Sequence, residues 1–167
     1  NIFSIGKTIK QCEINWRNKV KKWYDLKLSG SDSASDIVVE LLSKGFKVSD
    51  WVIDIACRLD SNLNKNYELW SVSLSDLGFD GPTKIKDFYL KLENSGYSTV
   101  PPEIALILRG RYKDQPVSEW LRIATPLDSM IDSDNVPHLP KLGSALGNLY
   151  VETYWAWPDA IFHPHNE

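Results

Sequence analysis

The sequence predicts an α+β fold in which N-terminal helices pack on a small C-terminal antiparallel sheet. Three observations predict it. Apolar residues step by three and four through much of the first 110 residues, the period of a helix face. Six of the nine prolines fall after Gly110, where long helices would be interrupted. The run Leu149-Tyr-Val-Glu-Thr-Tyr-Trp-Ala156 is rich in aromatic and β-branched residues, as strands are.

Taken in order, Ile9, Cys12, Trp16, Val20 and Trp23 form one stripe and predict a first helix over 7–26. Ser29-Gly-Ser-Asp-Ser33 is a break. A second helix starts near Ser33 or Ser35, whose hydroxyls suit free backbone N–H groups. It turns Ile37, Val38, Leu41 and Leu42 inward and stops at Gly45. Ser49 and Asp50 cap a third helix through about Leu59, with Val52, Ile55, Ala56 and Leu59 on its core face. A polar loop over 61–66 leads to a short strand over 67–72. Turn residues cluster over 76–82, and Thr83 is placed to cap a helix with Ile85, Phe88, Tyr89 and Leu92 inward. Pro101, Pro102 and Glu103 open another short helix carrying Ile104, Leu106, Ile107 and Leu108. Gly45-Phe46, Gly78-Phe79 and Gly96-Tyr97 share a glycine stop and an aromatic anchor. Their unequal spacing argues for common punctuation, not a repeat. Beyond Gly110, alternation over 120–125 and the run at 149–156 predict strands. A segment over 136–142 would pair between them, confined to an edge by Pro137 and Pro140.

At 167 residues the length suggests a single domain: a helical part over 1–66, a mixed, mainly helical part over 67–110 and a mainly β part over 111–167. No apolar run reaches the ~18–20 residues of a membrane span. Cys12 and Cys57 are too few for a disulfide framework and read as buried thiols of a cytoplasmic protein. Residues 1–28 carry seven Lys/Arg against two acids, and the remainder twelve against twenty. An acidic body argues against a dedicated nucleic-acid binder.

Asp76-Leu-Gly-Phe79, Tyr112-Lys-Asp-Gln-Pro116 leading to Glu119-Trp-Leu-Arg-Ile-Ala124, and Trp155-Ala-Trp-Pro-Asp159 occur in an order that resembles a widespread group of uncharacterised bacterial proteins, over about 67–167. The resemblance implies the C-terminal sheet and no activity. In that group a closing strand beginning Trp-Val-Phe follows the third segment, at the point where this chain stops at Glu167. Met130 is the only methionine. Together these imply a fragment lacking its first residues and its last strand. The connection over 133–148 is longer and richer in proline here, and His163 and His165 lie outside the group's pattern.

The candidate chemistry gathers near the C-terminus, where His138, His163 and His165 all lie. His163 and His165 are two apart and could share a face toward a metal, with His138 or Asp159 as a third ligand. No third ligand stands at fixed spacing, so no metal or other cofactor is assigned. Asp128, Asp132 and Asp134 fail the calcium-loop template and read as exposed turn residues. No nucleophile elbow or phosphate-binding glycine loop is present. Cys57 is expected on an apolar helix face, where a thiol is inert. Glu119 and Asp159 could serve as a hydrolytic carboxylate pair. Trp120 beside Trp155 or Trp157 on a neighbouring strand, with Arg122 and Asp159 near, would form an aromatic binding platform. With no catalytic template satisfied, the leading expectation is a non-enzymatic domain that binds another protein, of accessory or inhibitor type. A carbohydrate- or small-ligand-binding module on the tryptophan surface is the first alternative. A hydrolase using Glu119 and Asp159, or His163 and His165, is the second.

Overall fold

The computed structural model describes residues 2–7, 21–28, 32–59, 63 and 66–162. The sheet begins at once, with β1 (Ile2–Lys7) and β2 (Lys21–Leu26). This corrects the helix expected over 7–26, of which 8–20 lie outside the described residues. The chain continues through α1 (Ala34–Ser43), β3 (Lys47–Val48), α2 (Asp50–Ala56), β4 (Tyr67–Ser73), β5 (Thr83–Lys84) and α3 (Ile85–Asn94). It ends with β6 (Tyr97–Ser98), α4 (Glu103–Arg111), β7 (Trp120–Ile123), β8 (His138–Ala145), β9 (Asn148–Trp155) and β10 (Ile161–Phe162).

The fold is α+β, but the small C-terminal antiparallel sheet is not what forms. The main sheet runs β2-β4-β1-β7-β8-β9-β3, with β6 added beside β1, so its strands come from the whole length of the chain. It is mixed: β1 pairs antiparallel with β4 and parallel with β7, and β3 pairs parallel with β9. A separate two-stranded piece joins β10 to β5. The sequence misses β1 because it is short and sits beside the helix-like stripe. It misses β2 because a register shift between Lys22 and Tyr24 breaks the period-two pattern.

Alternation along the strands divides the core in two. Leu69, Leu121, Ile123, Leu142 and Val151 point to the face covered by α1, α2 and α4. Phe3, Ile5, Val72 and Leu139 point to the other, where Phe88 of α3 and Phe162 of β10 pack on Phe3. Among the described residues no helix is long and apolar enough to cross a membrane.

Local chemistry explains the helix ends. Ser33 and Asp36 form a reciprocal capping box at α1. Gly45 and Gly78 take φ of +86° and +87°, which lets Phe46 and Phe79 donate back to Leu41 and Leu74. Thr83 does not cap α3. The N-cap is Lys84, and the free N–H groups of Ile85 and Lys86 are taken by the carbonyls of Ala160 and Pro158. The Trp155–Asp159 segment therefore closes the start of a helix seventy residues earlier in the chain. β8 is not an edge strand either; it lies between β7 and β9. His138 and Ser144 direct their N–H groups away from β9, to Met130 and Glu119. Pro140 shares that orientation, and pairing with β7 has ended at Arg122 and Lys141. Its missing donor is not needed.

Candidate functional site

Two clusters stand out, at opposite ends of the β8–β9 hairpin and on opposite faces of the sheet. The first is a buried relay on the α2 side. His138 and Asp132 are both almost inaccessible. The turn before β8 brings them together: Asp132 N–H donates to the Val136 carbonyl, and Asn135 N–H to the Asp132 carbonyl. One carboxylate oxygen, Oδ1, accepts the N–H groups of Asp134 and Val136 at 2.8 and 2.9 Å. The other, Oδ2, lies 2.7 Å from His138 Nε2. Burial alone would raise the Asp132 carboxyl pKa; the His138 and backbone hydrogen bonds outweigh it and hold it below its ordinary value. An ionised carboxylate only accepts, so Nε2 carries the imidazole proton. His138 Nδ1 lies 2.8 Å from Thr153 Oγ1 on β9, and in the neutral ring it accepts the hydroxyl proton.

Trp51, at the start of α2, lies against the His138 ring at 5.2 Å between centroids. Trp155 is paired in register with His138 and keeps 62 % of its surface exposed. Two accessible indoles thus stand beside a carboxylate–imidazole–hydroxyl chain.

The second cluster is on the other face. Trp120 pairs with Gly143, and its ring lies so close that a Cβ built there would meet Cζ3 at 2.2 Å. Only glycine admits the ring. Lys141 Nζ is 4.7 Å from the Trp120 ring centroid and 3.9 Å from Glu152, while Tyr150 lies 6.2 Å from Trp120 between centroids. Val117 and Leu146, 74 % and 93 % exposed, flank this end of the sheet. Ser118 N–H donates to the Ser144 carbonyl and ties the two loops that carry them.

The structure separates the residues that the sequence groups together. Trp120 and Trp155 sit on opposite faces and at opposite ends of β8–β9. Trp157 is half exposed in the turn after β9. Arg122 is not beside Trp120; its guanidinium lies over Tyr154 and Phe162, at 5.3 and 5.5 Å. Asp159 is held by Lys86 at 2.8 Å and Lys84 at 3.6 Å, and Lys86 chiefly keeps its carboxyl below the ordinary range. Glu119 accepts instead from the Tyr112 hydroxyl at 3.1 Å. Cys57 is exposed, not buried, because it follows the last residue of α2 as its C-cap. Of the three acids read as an exposed turn, Asp128 and Asp134 are exposed and Asp132 is buried. His163 and His165 lie outside the described residues. Among the described residues no group of three His, Cys, Asp or Glu is placed to hold a metal ion.

The relay was hard to see because Asp132, His138 and Thr153 come from a turn and two strands with no fixed spacing. The signal that could have found it is the run of short polar residues at 132–135 directly before a histidine in a strand. Comparison of the chain with protein-family models, curated proteins and solved structures finds no match.

Proposed function

We propose that this is a cytoplasmic domain that binds another protein through the open end of the sheet around Trp120. The observation that supports it is the exposure of Val117 and Leu146 beside Trp120 and Tyr150. Isolated exposed aliphatics are ordinary, but two large ones around an aromatic pair form the apolar centre that protein interfaces use. Lys141 and Glu152 supply a polar rim of both signs.

A photo-reactive residue at position 146 tests this in extracts of the source organism. One defined partner protein should be captured, and Trp120→Ala should abolish capture while the circular dichroism spectrum stays unchanged. Capture of the same proteins from position 39, on the exposed outer side of α1, would overturn it.

A second reading rests on the Trp120 ring seated on Gly143 beside Lys141 and Glu152. An indole face with adjacent charged donors and acceptors also suits a sugar ring. Tryptophan fluorescence titrated with a glycan panel separates the two; a saturable change lost in Trp120→Ala would favour the sugar.

A further inference from the structure

We propose that Thr153 is a nucleophile for acyl transfer, with His138 as its general base and Asp132 as the group that orients the imidazole. The inference rests on the relay and is independent of the Trp120 surface.

Three observations carry it. The first is connectivity. Carboxylate, imidazole and hydroxyl are linked in that order at 2.7 and 2.8 Å, the sequence of roles that defines a nucleophile–base–acid triad on any fold. Here the carboxylate meets Nε2 and the hydroxyl meets Nδ1, the reverse of the commoner arrangement, and the roles are unchanged. The second is rigidity. Asp132 is fixed by two backbone N–H groups as well as by His138, so the ring has one orientation before any substrate arrives.

The third is access. Thr153 is partly exposed, whereas His138 and Asp132 are not. Among the described residues, β9 pairs on its outer side only with Lys47 and Val48, opposite Tyr150 and Val151. Ser49 N–H donates to the Val151 carbonyl from that side. Strand alternation sends the Thr153 N–H to the same outer side, past the last β3 pair. A nucleophile's own backbone N–H is one of the donors that stabilises the oxyanion in the familiar serine enzymes. Trp51 packs against the His138 ring and Trp155 pairs with His138, two residues beyond Thr153, so exposed apolar surface lies at this end of the relay and suits an uncharged ester with an apolar acyl group.

Thr153 Oγ1 forms a bond to the acyl carbon as its proton passes to His138 Nδ1. The tetrahedral intermediate collapses, the ester C–O bond breaks, and the leaving alcohol takes the proton from Nδ1. Water then adds to the acyl-threonine ester by the same route, releasing the carboxylic acid and restoring the hydroxyl.

The full chain should be incubated with p-nitrophenyl butyrate and, separately, with an alkyl fluorophosphonate, which threonine attacks with loss of fluoride. Intact mass and peptide mapping should place one phosphonyl group on Thr153. Butyrate ester turnover should fall at least tenfold in Thr153→Val and in Asp132→Asn, and persist in Thr153→Ser. Absence of the adduct from Thr153 in the folded wild-type chain would overturn the proposal without recourse to any variant. Turnover in folded Thr153→Val equal to wild type would overturn it as well.

Discussion

Among the described residues, Arg109 is the largest side chain to be fully buried, and its hydrogen-bond partners there include no carboxylate. Its Nη1 donates to Gln115 Oε1 at 2.6 Å and to the carbonyls of Gly143 and Tyr150, and its Nη2 to the Tyr112 carbonyl. Gln115 passes the connection on, donating to the carbonyls of Leu142 and Glu119. The Tyr112-Lys-Asp-Gln-Pro116 segment is thus a clasp that fastens α4 and the loop before β7 to the β8–β9 hairpin. Burial pulls the guanidinium down to about 10, still cationic at neutral pH. Arg109→Met should cost about 3 kcal/mol or more in urea unfolding, since several buried acceptors lose their donor. Arg109→Lys should recover little, because one ammonium lacks the planar fork. Asp132 gives a pH prediction. Its folded pKa lies below the unfolded value of about 3.9, so its stabilisation is complete above that value and is lost as pH falls through the folded pKa. Acid unfolding followed by circular dichroism should show a shallower acid limb in Asp132→Asn. Gly143→Ala should force the Trp120 ring off the strand, shift its fluorescence, and cost about 1–3 kcal/mol, the usual penalty for overpacking.

At the scale of elements, the sequence was most legible where a local rule closes on itself. The end of α1 at Gly45, the Ser49 cap of α2 and the inward residues of α3 and α4 were all readable from short-range spacing. Ser33→Ala should therefore lower stability by about 1 kcal/mol, read as a fall in Tm, because the Asp36 N–H loses the hydroxyl that accepts from it. Legibility failed where a distant partner decides. α3 is capped by the turn at 158–160, so Thr83 looked like the cap only because the true acceptors are far away in sequence. β2 is charged, bulged and, among the described residues, paired to β4 alone, so nothing in its own residues outweighs the helical spacing of Val20 and Trp23. β8 contains proline and glycine, yet each falls where the sheet does not need a donor or where an indole needs room. The candidate site followed the same division. Trp120 and Trp155 were recognisable as strand residues, but their faces depend on a register that no single strand carries.

At the scale of the molecule, that helices and strands both occur was legible, and the fold they build was not. The helices and the last strands fit an α+β reading, but the strands that unite the sheet come from the first residues and from the middle of the chain. β1 holds the two halves together: β4 and β2 lie on one side of it, and β7, β8, β9 and β3 on the other. Both faces of the sheet depend on it, because Phe3 and Ile5 fill the α3 side while the neighbouring Leu69 and Leu121 fill the opposite side. This position has a consequence for time. During synthesis β1 emerges before its partners, and Ile2 finds Ser73 only after β4 exists, and Leu121 only after β7 does. Pairings this remote must close long loops before they are rewarded, which makes folding slow. One edge of β1 therefore waits for β4 and the other for β7, and a chaperone that shields its Phe3 and Ile5 over that interval should raise the yield of native protein.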